Sequence, residues 1–165
     1  MAEIFTYVPE TISRYRVPRA IVLATAQALR DESAGVRESV VLWQGRVLSE
    51  TLAEITKLQV PRQITGPLHF NVPLDERLRL VREVCKESEL ILIQLHTHPH
   101  EAFHSDLDDR LAITKHTGAI SIVIAEFARR WNGDLLKSSV NRNLGGGRWI
   151  ELPSGEVTTL FEIVT

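Results

Sequence analysis

A chain of 165 residues, 44% apolar and 24% charged, has the composition of one globular domain over residues 1–165 with enough apolar side chains for a packed core. Its formal net charge of −2 offers no basic footprint, which argues against nucleic-acid binding. One cysteine, Cys85, excludes an internal disulfide, and no apolar run reaches the ~18 residues of a membrane span.

The N-terminal Met-Ala-Glu-Ile-Phe-Thr-Tyr lacks the basic-then-apolar layout of a signal peptide, so a cytoplasmic location is expected. Residues 4–8 read as a short edge strand ended by Pro9. Val17-Pro18 opens a helix, with Pro at the first turn where its missing N–H costs nothing. Ile21, Ala24, Thr25, Ala28 and Leu29 recur at helical spacing, and Gly35 is a natural C-terminal cap. Residues 37–43 read as a strand, Gln44-Gly45-Arg46 as a turn, and Val47 as the start of a second strand. Residues 52–60 continue the sheet. Residues 61–73 hold three prolines and a glycine and read as an irregular loop, in which His69 has a surface or packing role.

Residues 75–87 form a helix whose stripe Leu74, Leu78, Val81 and Cys85 is expected to be buried, with Asp75 and Glu76 at its positive N-terminus. A second apolar strand starts at Leu90. Ser105 to His116 is predicted helical and closed by Gly118, and residues 119–127 are predicted to be a buried strand. Further strands are expected at 135–141, 148–152 and 157–164, joined by residues 143–147 and Pro153-Ser154-Gly155. The three glycines at 145–147 lack the lysine and the strand-to-helix context of a phosphate loop. The alternation of elements predicts a mixed α/β fold, a central sheet sandwiched by helices.

Chemistry concentrates between Leu90 and Arg110, where L-I-L-I-Q-L-H-T-H-P-H-E-A-F-H-S-D-L-D-D-R runs from an apolar strand into a loop. Side chains two apart on a strand share a face, so Leu90, Leu92, Gln94, His96 and His98 are expected together, opposite Ile91, Ile93 and Leu95. Pro99 stops the ladder. Two same-face imidazoles at a strand end make half of a zinc site, and the missing ligand is expected from Ser105-Asp106-Leu107-Asp108-Asp109. Ser105 and Asp108 also match the capping pattern of a helix start. His100 and His104 read as exposed loop histidines.

His96-Thr97-His98-Pro99 followed by Ser105-x-x-Asp108 resembles the JAMM signature of the JAB/MPN metalloproteases, over most of the chain. The resemblance implies the family's mixed α/β fold, similar to that of cytidine deaminases, and a Zn2+ site held by His96, His98 and Asp108. It also implies a general base on an earlier strand, which Glu38 supplies, and an oxyanion donor in Ser105. The loop from His98 to Ser105 is one residue shorter than the family's usual one, which leaves Asp109 open as the third ligand. Val41 stands where the family often has a glycine after its glutamate. The stand-alone bacterial members it resembles cut or mature ubiquitin-like proteins, some in antiphage conjugation systems. A ubiquitin-like protein and its conjugates are therefore the expected partner of an isopeptidase. The alternatives are a small-peptide amide hydrolase and a non-catalytic binding module.

Overall fold

The computed structural model describes residues 7–165, so the strand expected at 4–8 falls largely outside the described residues. The chain enters the sheet through β1 (Arg14–Pro18), a strand where the sequence suggested the start of a helix. Pro18 is extended (ψ 132°) and caps α1 (Arg19–Ser33) from outside. The helix closes on Ala34 in the left-handed region, followed by Gly35 at φ 72°.

β2 (Val40–Val47) and β3 (Leu52–Gln59) form an antiparallel hairpin. The turn expected at Gln44-Gly45-Arg46 is instead a bulge inside the pairing, and the chain reverses over residues 48–51. Gly45 is needed here because the strands close up on it. A Cβ would sit 1.9 Å from the Glu54 carbonyl oxygen. Residues 61–73, expected to be irregular, hold a separate small hairpin of β4 (Ile64–Gly66) and β5 (His69–Asn71).

α2 (Leu74–Lys86) lies where predicted but is rotated. Its buried residues are Glu76, Leu80 and Val84. Leu74, Leu78, Val81 and Cys85 face out, Leu74 being 71% exposed. The rotation follows from Glu76, whose carboxylate turns inward to accept from the Arg62 amide at 3.0 Å and from Arg79 at 2.7 and 2.8 Å. Leu80 then reaches the core beside Phe70 and Val72.

β6 (Leu90–Thr97) runs down the middle of the sheet and leads to α3 (Asp106–Leu111), far shorter than the helix expected to reach His116. Beyond it the Ile113 amide donates to the Gln94 side chain at 2.8 Å, tying the chain to the sheet in place of a further turn. β7 (Ile120–Ile124), β8 (Ser139–Asn143) and β9 (Trp149–Glu151) follow. The strand expected at 157–164 divides into α4 (Ser154–Leu160) and β10 (Phe161–Val164). Val157 and Leu160 bury one helical face, a spacing that a strand cannot present to a single side.

The larger sheet has the order β10-β1-β3-β2-β6-β7-β8-β9 and mixes parallel with antiparallel pairs. Adjacent residues of β2 define its two faces. Val41 and Trp43 pack with Val22, Ala26 and Leu29 of α1, and the Trp43 indole donates to Thr25 at 2.8 Å. Val40 and Leu42 pack on the other face with Phe70, Val72 and Leu80. Helices thus cover both faces, as the sequence predicts. The simple alternation expected along β6 breaks, because Trp43 pairs with Ile93 but Gln44 with Ile91, leaving Leu92 as an extra residue. Leu92 joins Ile93 and Leu95 in the α1-side core while Ile91 packs on the opposite side. No helix among the described residues is long and apolar enough to cross a membrane.

Candidate metal centre

His96 is the last residue of β6 to pair with β2, lying opposite Val40. Its ring falls 5.2 Å from that of Phe70, on the α2 side of the sheet. The chain stays extended past Thr97 because the His98 amide donates to the Ile124 carbonyl at 2.9 Å, so His98 follows His96 with ring centroids 5.2 Å apart. A six-residue connection then reaches Ser105, the N-cap of α3. The Asp108 amide donates to Ser105 Oγ at 3.2 Å, and the Ser105 amide donates to Asp108 Oδ2 at 2.6 Å, a reciprocal capping box. The box aims the Asp108 carboxylate back at the strand end. Oδ1 lies 3.1 Å from His96 Nε2 and Oδ2 lies 3.3 Å from His98 Nε2.

One donor atom from each of these three buried residues lies within 4.8 Å of the others. Tetrahedral zinc with ~2.0–2.1 Å bonds would set its ligands about 3.3 Å apart, close to the two contacts observed. Apart from the Asp108 oxygen 3.1 Å from its Nε2, the fully buried His96 ring meets no polar partner, and a metal ion at Nε2 would satisfy that nitrogen. Burial pushes the His96 pKa down, which keeps a lone pair available. Burial alone would raise the Asp108 carboxyl, but the two imidazoles and the Ser105 amide outweigh it and hold it far below the usual range. The donor set fits a metal ion.

Asp109, the alternative ligand, points elsewhere: its Oδ1 meets His104 Nε2 at 2.6 Å. The shortened loop therefore leaves Asp108 with the histidines. His104, expected to be exposed, has its side chain buried and packed at a tilt against Trp149 with ring centroids 4.4 Å apart. His100 is exposed, as expected.

Glu38 lies two residues before β2 and is buried. Its amide donates to the Gly66 carbonyl at 2.8 Å, which fixes it against the β4–β5 hairpin. Glu38, His98, Ser105 and Asp108 line one cleft of about 260 Å³, with Leu68, Phe103 and Leu107. Burial raises the Glu38 carboxyl to about 7; His98 pulls it down and Asp108 pushes it up. Ser105 also lines this cleft, and the role of its hydroxyl oxygen as acceptor in the cap leaves the hydroxyl hydrogen free to donate. The structure thus brings Glu38, His98, Ser105 and Asp108 to one cleft, with His96 beside His98 and Asp108, the residues that the resemblance to the JAMM signature singled out.

Two supports of this site carried no clear sequence signal. Behind it, the hydroxyls of Ser33, Ser39 and Thr97 form a buried cluster, with Ser33 2.7 Å from Ser39 and 3.1 Å from Thr97. The Ser39 amide donates to Thr97 Oγ1 at 3.0 Å, locking the residue after Glu38 to the residue between the histidines. The only hint was the position of Thr97 between two ligand candidates. Beside the site, Glu126, Phe127 and Ala128 adopt left-handed conformations in succession (φ 53°, 54° and 58°), rare for residues with a Cβ. The Phe127 amide donates to the His98 carbonyl at 2.8 Å and the Glu126 amide to that of His100 at 3.0 Å, so the strained turn grips the metal-site loop. With no glycine there, the sequence gives no sign of it.

No family model matches the chain. It is 28% identical over 160 residues to a Sinorhizobium fredii protein named "Probable metalloprotease", an alignment that spans 94% of this chain and 98% of that one. A solution structure from Desulfitobacterium hafniense shares the fold, with TM-score 0.65 and 16% identity over 91% of this chain and 92% of that one. A JAB1/MPN domain protein from Archaeoglobus fulgidus superposes with TM-score 0.48 and 16% identity, covering 85% of this chain and 96% of the other.

Proposed function

We propose that the protein is a zinc-dependent peptidase or isopeptidase that cuts the amide of a ubiquitin-like protein's tail. The observation that carries the reading is the single cleft in which a buried carboxylate, a serine hydroxyl and two of the three metal-ligand candidates meet. The likeness to a protein named a metalloprotease supports the hydrolytic class. The β4–β5 hairpin beside the cleft supports the extended tail, since two strands without a third leave backbone groups to which a peptide strand can add. The small size of the cleft favours a second reading, hydrolysis of short peptide amides.

His96, His98 and Asp108 would hold the zinc, which when bound supplies Lewis acidity and a water acidified to a pKa of about 7. The Glu38 carboxylate accepts the proton that water gives up as its oxygen joins the carbonyl carbon. Ser105 donates its hydroxyl hydrogen to the oxygen on which negative charge develops. As the carbon–nitrogen bond breaks, Glu38 passes its proton to the departing nitrogen, so that amide and water become carboxylic acid and amine. An acid–base group suited to both transfers has a pKa near the working pH, and burial brings Glu38 there.

The test uses ubiquitin fused through its C-terminus to a small protein, and a fluorogenic peptide amide, with wild type, Glu38→Gln and His98→Ala. Glu38→Gln is expected to keep its zinc and lose at least ~100-fold in rate, and His98→Ala to lose both. Cleavage of the peptide amide alone selects the second reading. Full zinc and normal turnover in His98→Ala would overturn both.

A further inference from the structure

The cleft has two characters. Part of its lining is the polar groups just described; the rest includes Leu68, Phe103 and Leu107, which adjoin those groups. Leu68 is 68% and Phe103 54% exposed, and neither shields the core that holds the sheet together. Large apolar side chains left in water around a concave site mark a place where something apolar binds. We infer that Leu68, Phe103 and Leu107 form a subsite for one bulky apolar side chain flanking the amide to be cut. This rests on the peptidase reading and adds a substrate preference to it.

Each wall is fastened to a part of the reactive site. Leu68 sits at the turn of the β4–β5 hairpin, which the Glu38 amide holds through the Gly66 carbonyl at 2.8 Å. Gln63 clamps the same segment to β2, accepting from the Val40 amide at 2.8 Å and donating to the Val40 carbonyl at 2.9 Å. The Phe103 ring meets the His98 ring edge-on, with centroids 4.8 Å apart and planes at 82°. Leu107 stands in the first turn of α3, next to Asp108. A side chain between these walls is therefore registered against Glu38 and Ser105 without rearrangement, the condition under which burial contributes to selectivity.

Size and charge narrow the occupant. The whole cleft, polar groups included, encloses about 260 Å³, less than the ~300–1,000 Å³ of sites for drug-sized molecules, so its apolar part has room for one side chain. A glycine there would leave the two leucines and the phenylalanine in water. Glu101 is exposed and lines the cleft, and among the described residues no lysine or arginine does, so an acidic side chain is disfavoured.

The test is a set of hexapeptides in which Leu, Phe, Gly or Glu is placed at each position in turn. Binding is followed by NMR titration of zinc-loaded Glu38→Gln protein and of metal-free wild type. Leu and Phe are expected to bind roughly tenfold or more tighter than Gly at one position, and Glu weakest. Leu68→Ala, alone and with Phe103→Ala, is expected to bring the Leu-to-Gly ratio towards unity. If no position favours Leu or Phe, or the preference survives in the folded double variant, the subsite is refuted. Hydrolysis of the same peptides by wild type tests the peptidase reading separately. Selective binding without metal-dependent cleavage would count against that reading and support the subsite.

Discussion

Glu76→Gln tests how the small hairpin is held at the mouth of the cleft. The Glu76 carboxylate takes two hydrogen bonds from Arg79 and one from the Arg62 amide, and Gln63, the next residue, clamps Val40. The Arg79 bonds hold its pKa at about 2; burial opposes them and the Arg62 amide adds to them. The gap from its ordinary 4.5 sets a ceiling of roughly 3 kcal/mol on the stabilisation. Arg79 is half exposed, so solvent screening reduces this to about 1–2 kcal/mol. The folded carboxyl is the more acidic, so its contribution is complete above the unfolded value of 4.5 and is lost as pH falls towards about 2. Urea unfolding of wild type and variant should therefore differ by about 1–2 kcal/mol at pH 7, with Tm lower by roughly 2–8 °C. More than half of that difference should be gone by about pH 3. Equal stabilities at pH 7, or a gap unchanged at pH 3, would refute the assignment.

Asp108→Asn should release the metal and Asp109→Asn should keep it, freeing only His104; metal analysis of the two folded proteins decides, and metal loss in Asp109→Asn alone reverses the roles. Ser105→Ala should lower kcat far more than it raises KM, because the oxyanion exists only near the transition state. It should also cost ~1 kcal/mol of stability through the lost cap, measurable as a melting shift. Gly45→Ala should destabilise by about 3 kcal/mol or more, since its Cβ would meet the Glu54 carbonyl oxygen at 1.9 Å and the strands must part. A urea midpoint close to wild type would show that the bulge yields more easily than its contacts suggest.

The grouping of the candidate site residues was legible in the chain because their relation is local. His96 and His98 share a face by the two-residue period of a strand, and Ser105 and Asp108 are joined within one helical turn. The mixed α/β class was equally legible, since apolar runs and helical periods report burial directly. What the sequence left open was decided by contacts between distant segments. The choice of Asp108 over Asp109 depends on His104 and Trp149 occupying Asp109's side of α3. α2 carries two apolar stripes, and Glu76, bonded to Arg62, decides that Leu80 and Val84 rather than Leu74 and Leu78 face the sheet. Gly45 reads as a turn residue because glycine alone cannot say whether it is needed for a reversal or for the close approach of a neighbouring strand. That neighbour is Glu54, nine positions further along, and only the pairing of β2 with β3 brings it there. The chain by itself determined which side chains are candidates for the site; the tertiary structure decided which of them meet, because orientation across a sheet is set by partners that are far apart in sequence.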